Sequence, residues 1–263
     1  MMVLTALIRG AGDIGSAVAH RLFTEGYGVV LHDGPQPTAT RRKMAFADAA
    51  FDGVASLNAV EARRASDLAE IQDLLARRVV AVYLGAFAPL VAALDPDVLV
   101  DARMRKRTVP ESQRGLARVT IGLGPNFHAG VTCDVAVETS WDGLGTVIHD
   151  GPTRRLAGEP RELGGHARAR YVYAPDGGVF RTHAQVGDAV TAGQPVATID
   201  GIALAAPLSG VLRGLTRDGV PVAPGTKVIE VDPRGRAAEV AGIGERPRRI
   251  ADGVMAALRP SRR

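Results

Sequence analysis

Residues 174–200 recur as residues 206–232 at a constant offset of 32. Ala174-Pro175 matches Ala206-Pro207, and Gly178-Val179 matches Gly210-Val211. Arg181, Gly187, Val190, Gly193, Val196 and Asp200 match Arg213, Gly219, Val222, Gly225, Val228 and Asp232. No gap interrupts the register, which argues for duplication of one supersecondary unit. Each half reads as a short strand, two glycine turns and a second strand, with glycine at the turns supplying positive φ. The pattern predicts a small all-β module with a pseudo-two-fold relation between its halves.

The other end of the chain has a different grammar. An apolar run, Val3 to Ile8, leads into Arg9-Gly10-Ala11-Gly12-Asp13-Ile14-Gly15-Ser16, and a helical pattern follows. The spacing Gly10-x-Gly12-x-x-Gly15 matches the dinucleotide fingerprint, in which the helix N-terminus faces a pyrophosphate. Gly10, Ala11, Gly12, Asp13, Ile14 and Gly15 are therefore a candidate phosphate cradle. Asp33, at the end of the next apolar run, stands where a ribose hydroxyl is expected to be held. The alternative is a glycine turn that only packs helix against strand.

Residues 3–123 alternate strands and helices, which predicts right-handed crossovers and a mostly parallel, Rossmann-like sheet. Asp67 is positioned to cap a helix with Leu68, Ile71, Leu74 and Leu75 on its apolar face. Arg41 to Phe51 reads as another helix. Ligands in such sheets lie beyond the carboxyl ends of the strands. That rule selects Gly85-Ala86-Phe87, Asp101, Lys106 and the second glycine turn, Gly122-Leu123-Gly124-Pro125, with Arg41 and Arg42 as further phosphate-neutralising groups. Asp101 opens a basic loop, Arg103-Met104-Arg105-Lys106-Arg107. His128, Asp134 and Glu138 follow as candidate proton-transfer groups. His128, Cys133 and Asp134 lack zinc-ligand spacing, so no metal site is expected.

Only three of the 32 basic residues are lysine, an arginine excess that suits carboxylate and phosphate recognition. Aromatic residues make up 4%, too few for a stacking nucleic-acid surface, so no nucleic-acid partner is expected. No apolar run nears the ~18 residues of a membrane span, and no signal peptide is visible. One cysteine excludes an internal disulfide framework and fits a cytoplasmic location.

The repeat resembles the biotinyl/lipoyl-type barrel-sandwich hybrid. Its junction, Gly201-Ile202-Ala203-Leu204-Ala205, carries no lysine, so covalent biotin or lipoate is not expected. Gly10–Ser16, Arg41-Arg42, Asp101, Gly122–Gly130, Glu138-Thr139 and the repeat, in this order, resemble the YqeB-like family of selenium-dependent molybdenum hydroxylase system proteins. The glycine fingerprint is shared with XdhC-type accessory factors. The resemblance implies an α/β protein: a Rossmann-like domain over 1–165, a duplicated β-sandwich over 166–235, and a helix with a basic tail over 236–263. It implies a maturation factor that binds a molybdopterin-type cofactor or nucleotide at Gly10–Gly15 and works with a molybdenum hydroxylase subunit; a homodimer is left open. An NAD(P)-dependent oxidoreductase and a non-catalytic scaffold stay open beside it, as does whether any reaction is catalysed.

Overall fold

The computed structural model describes residues 3–106, 108–155 and 160–259. Arg107 of the basic loop and residues 260–263 of the basic tail lie outside them. The chain divides into two compact units. The first takes residues up to Pro35, then Ala45–Leu156, and resumes at Ile243. The second takes Gln36–Met44 and Ala157–Gly242.

In the first unit, β1 (Thr5–Arg9), α1 (Asp13–Thr24) and β2 (Gly28–His32) come first. There follow α2 (Ala49–Asp52), β3 (Val54–Leu57), β4 (Val60–Ala65), α3 (Leu68–Ala76), β5 (Val80–Tyr83), α4 (Phe87–Leu94) and β6 (Val98–Asp101). Then come β7 (Val119–Leu123), β8 (His128–Ala129), β9 (Val135–Val137), β10 (Val147–Ile148) and β11 (Gly151–Pro152). Nine strands form one sheet in the order β10-β9-β7-β6-β1-β2-β5-β4-β3. The pairs from β9 to β4 are parallel, whereas β10 on β9 and β3 on β4 are antiparallel edges. A small two-stranded sheet joins β8 to β11.

Side chains alternate across the sheet, so each face has its own core. Ala6, Ile8, Val29, Leu31, Val98 and Val100 face Val18 and Leu22 of α1. The same core takes Ile250 and Val254 of the last helix, Glu245–Ala257, which is α5. On the other face Leu7, Val30, Ala81 and Leu99 meet Ile71 and Leu74 of α3 and Leu90 of α4. Asp67 caps α3 by accepting the Glu70 N–H at 2.9 Å, as its sequence position predicts. Arg41–Phe51 is not one helix: it holds a 3₁₀ turn at Arg42–Met44 and the four-residue α2. The turn and α2 fall in different units.

The second unit contains β12 (Tyr171–Tyr173), β13 (Gly178–Arg181), β14 (Ala189–Val190), β15 (Pro195–Ile199), β16 (Ile202–Ala205), β17 (Gly210–Leu215), β18 (Pro221–Val222) and β19 (Lys227–Asp232). They form two four-stranded sheets, β12-β19-β17-β14 and β16-β15-β13-β18. The 32-residue offset carries β12 onto β16, β13 onto β17, β14 onto β18 and β15 onto β19. Each sheet is thus the repeat image of the other, and each half contributes strands to both. Phe180, Val196 and Ile199 share one apolar core with their repeat mates Leu212, Val228 and Val231. The segment 36–44 joins this unit through the Leu215 N–H, which donates to the Thr40 carbonyl at 2.8 Å.

The expectation of a Rossmann-like fold followed by a barrel-sandwich-hybrid module is corrected, although six of the eight strand pairs in the large sheet are parallel. The large sheet is mixed, with antiparallel strands at both edges. The connections after β6 and β7 carry no α-helix among the described residues, so the winding that a Rossmann unit needs stops at β6. The β-rich remainder is a set of separate small antiparallel sheets rather than one biotinyl/lipoyl-like barrel.

Candidate functional site

Parallel pairing sets one residue from each strand side by side at the carboxyl end of the sheet. Tyr83 pairs with His32, His32 with Arg9, Arg9 with Asp101, and Asp101 with Gly122. Arg9, His32, Tyr83 and Asp101 each lie two residues beyond Leu7, Val30, Ala81 and Leu99. They therefore extend the face covered by α3 and α4. The Gly10–Gly15 turn leads instead into α1, on the opposite face.

A cavity of about 390 Å³ opens beside this row, lined by Arg9, Phe87, Ala88, Val91, Glu111, Gln113 and neighbours. The volume is within the range of small-molecule sites. One turn of α4 supplies its apolar wall. Arg9 is buried, and its guanidinium stacks 3.7 Å from the centre of the Phe87 ring. Arg9 Nη1 donates to Gln113 Oε1 and to Glu111 Oε1, both at 2.8 Å. Arg9 Nε is buried without a hydrogen-bond partner among the described residues. The His32 ring lies 5.2 Å from Phe87, and its Nε2 is bonded to the Gly85 carbonyl. Burial pushes the His32 pKa down, which favours the neutral ring.

Three guanidiniums converge here. Arg103 pairs with the buried Asp101 and also donates to Glu111 at 2.7 Å. Arg105 reaches the other Glu111 oxygen. Partial burial opposes ionisation of Glu111, but the hydrogen bonds from Arg103 and Arg105 overcome it and hold the carboxyl well below its ordinary range. Burial likewise lowers the Arg9 pKa, helped by nearby Arg103 and resisted by Asp101 and Glu111. The cluster is three cations on two carboxylates, with an apolar chamber beside it.

The glycine turn is stitched shut by its own chain. Ala11 is buried and its N–H donates to Asp33 Oδ2 at 2.7 Å. Ser16 Oγ donates to the Ala11 carbonyl and accepts the Phe46 N–H. Gly10 has φ of 105°, and a Cβ on Gly15 would sit 1.9 Å from the Gly10 oxygen. Both glycines are required by packing, whereas a Cβ at Gly12 would meet nothing within 4 Å. Asp13 and Ile14 are the first two residues of α1.

The remaining sequence-selected residues are scattered. Arg41 and Arg42 lie in the second unit, where Arg41 bonds Glu230. Lys106 is exposed, and its carbonyl accepts from Asn126. Gly122 packs on the Phe127 ring, Gly124 approaches Met104, and Pro125 is buried. Asn126 takes positive φ of 74° in this turn, a conformation asparagine tolerates. Glu138 is buried and accepts three backbone N–H groups, from Thr139, Ser140 and Arg154. Asp134 accepts from Thr120 twice and from Arg114. Its pKa is lowered because those bonds outweigh partial burial. His128 Nδ1 is bonded to the Ala129 carbonyl. Burial pushes the Cys133 thiol up to about 11, which leaves it a poor nucleophile. No group of three His, Cys, Asp or Glu residues suited to a metal occurs among the described residues. No described helix is long and apolar enough to cross a membrane.

Sequence reasoning selected Asp101 and Phe87 but passed over Arg9, His32, Glu111 and Gln113 as a site. The available signal was alternation: in three neighbouring strands an apolar i, i+2 stripe ends in a polar residue.

No family profile matches the chain. Among solved structures, an aspartoacylase-family protein from Mesorhizobium loti aligns over 89% of this chain and 87% of its own, at 12% identity and TM-score 0.28. The ectoine utilization protein EutE (DoeB) from Ruegeria pomeroyi aligns over 87% and 85%, at 12% identity and TM-score 0.27. A succinylglutamate desuccinylase from Silicibacter aligns over 87% and 84%, at 13% identity and TM-score 0.26. Likenesses this slight transfer no activity to this chain. The expectation of a nucleotide-binding, molybdenum-hydroxylase maturation factor is nonetheless corrected. The Ala11 amide that a phosphate would need is held by Asp33. The NAD(P)-dependent oxidoreductase alternative relied on the same loop, and the scaffold alternative on the same hydroxylase link. Among curated proteins, YqeB of Escherichia coli strain K12, itself uncharacterized, is 38% identical over 255 residues. The match takes in 96% of this chain but 47% of YqeB, so the chain spans about half the length of its curated relative. Over nearly its whole length the chain is thus similar to one part of YqeB.

Proposed function

We propose that the first unit binds a small organic acid with an apolar body in the cleft between Arg9 and α4. The observation that carries this reading is the buried Arg9 guanidinium at the polar end of an otherwise apolar chamber, with Nε lacking a partner among the described residues. A buried cation is costly unless paired, and a carboxylate matches the guanidinium fork with two parallel hydrogen bonds. Gln113 offers a second fixed polar contact, and Phe87, Ala88, Val91 and Leu116 suit a short aliphatic or aromatic body. Cys133, with its raised pKa, and Glu138, saturated by backbone donors, offer no reactive group, so the reading is binding rather than turnover.

Calorimetric titration with benzoate, and with benzyl alcohol as the uncharged control, tests it. Benzoate is expected to bind and the alcohol is not. Equal affinity for both, or no benzoate binding to wild type and to a variant lacking the Glu111 carboxylate, overturns it.

A further inference from the structure

We propose that Glu111 is an internal occupant of this acid site, and that a ligand carboxylate binds by taking its place on Arg9 and Arg103. This rests on the organic-acid reading of the cleft. Glu111 is the only residue lining the cavity that carries a carboxylate, and its side chain is about half exposed (49%) although Arg9, Arg103 and Arg105 all bond to it. An exposed side chain swings into water at little cost. The guanidiniums it leaves are not free to follow.

Their positions are fixed by other partners. Arg9 stays on Gln113 Oε1 and over Phe87, and 3.9 Å from Asp101. Arg103 stays on Asp101. Gln113 itself is anchored by its N–H on the Thr132 carbonyl at 2.8 Å and by Nε2 on the Glu111 backbone carbonyl. Release of the Glu111 carboxylate therefore leaves a preformed two-arginine fork at the mouth of the apolar chamber. A ligand whose acid replaces Glu111 also buries an apolar body against Phe87, Ala88 and Val91 of α4. The exchange selects acids with an apolar tail over acetate or inorganic anions, which gain the fork but not the wall.

Titration of Glu111→Gln with benzoate and with acetate tests the exchange, with circular dichroism confirming that the variant folds. Removing the internal competitor is expected to tighten benzoate by about tenfold or more, and acetate by the same factor from a weaker starting affinity. Tightening in the variant supports the exchange, including the case in which wild type binds too weakly to detect. Wild-type binding that is unchanged or weaker in Glu111→Gln overturns the exchange and leaves the cleft reading standing. Silence from both proteins overturns both. Should Glu111→Gln not fold, Glu111→Asp keeps the charge but shortens the reach by one methylene. Benzoate is then expected to bind more tightly than to wild type, and an unchanged affinity overturns the exchange.

Discussion

Each unit of this protein gathers arginines around one glutamate, and the two gatherings differ in what surrounds them. In the second unit Glu230 is fully buried. It accepts from Arg41 at 2.9 and 3.0 Å, from Arg213 at 3.1 Å, from Lys227 at 3.2 Å and from Arg170. Beside it Asp232, also buried, is held by Arg234. In the first unit Glu111 takes three arginines but stands half in water beside a cavity. The same pairing chemistry serves opposite ends. A carboxylate with no route to solvent is a fixed joint between strands and the segment 36–44. One at a rim is exchangeable.

The largest expected effect falls on the buried centre. Glu230→Gln leaves Arg170 and Arg213 buried without their carboxylate, and removing one partner of a buried pair costs roughly 3–5 kcal/mol. Urea denaturation followed by circular dichroism measures it. A loss under about 1 kcal/mol, the range of an exposed pair, would erase the distinction between the two glutamates.

Acid sharpens the same contrast. Burial opposes ionisation of Glu230, but Lys227, Arg41 and Arg213 hold its carboxyl well below the ordinary glutamate range. The folded value is depressed, so the stabilisation is complete above about pH 4.5 and is lost as the pH falls toward the folded value. Wild type is expected to lose stability below that point, with a shallower decline in Glu230→Gln. Parallel acid titrations of the two proteins read the difference, and coincident slopes would remove Glu230 from the account.

Arg9→Met isolates the rim. It deletes the unpartnered Nε and keeps an apolar side chain against Phe87, while Asp101 retains Arg103. Loss of a charged hydrogen-bond donor costs about 1.5–3 kcal/mol, so benzoate affinity is expected to fall by about 10- to 150-fold while the fold survives. Calorimetry provides the readout, and unchanged affinity would move the ligand elsewhere.

How much of this the sequence discloses depends on the range of each interaction. The repeat and the cap at Asp67 are local and were legible. The antiparallel edges were not, because strand direction at β3 and β10 depends on pairing rather than periodicity. The assignment of 36–44 to the second unit depends on contacts such as Thr40 with β17, nearly two hundred positions away. The glycine fingerprint drew attention to α1's face, whereas the cavity lies on the other. Arg9 sits next to Gly10 in sequence, but one residue along a strand is a change of face. Glu111 carried no motif at all. Its meaning comes from three arginines that converge only once β1 and β6 are side by side.

The smallest effect is the stability change in Glu111→Gln. Pairs with an exposed partner are worth about 0–1 kcal/mol, because water and side-chain entropy offset most of the attraction. Arg9 and Arg103 keep Asp101 and Gln113, so neither is left as an isolated buried charge. Urea denaturation is therefore expected to place Glu111→Gln within about 1 kcal/mol of wild type, against several for Glu230→Gln. A larger loss would mean that Glu111 holds the 102–118 connection onto the sheet, as Glu230 holds its strands. The rim would then be a second fixed joint, and exchange with a ligand acid would be too costly to occur.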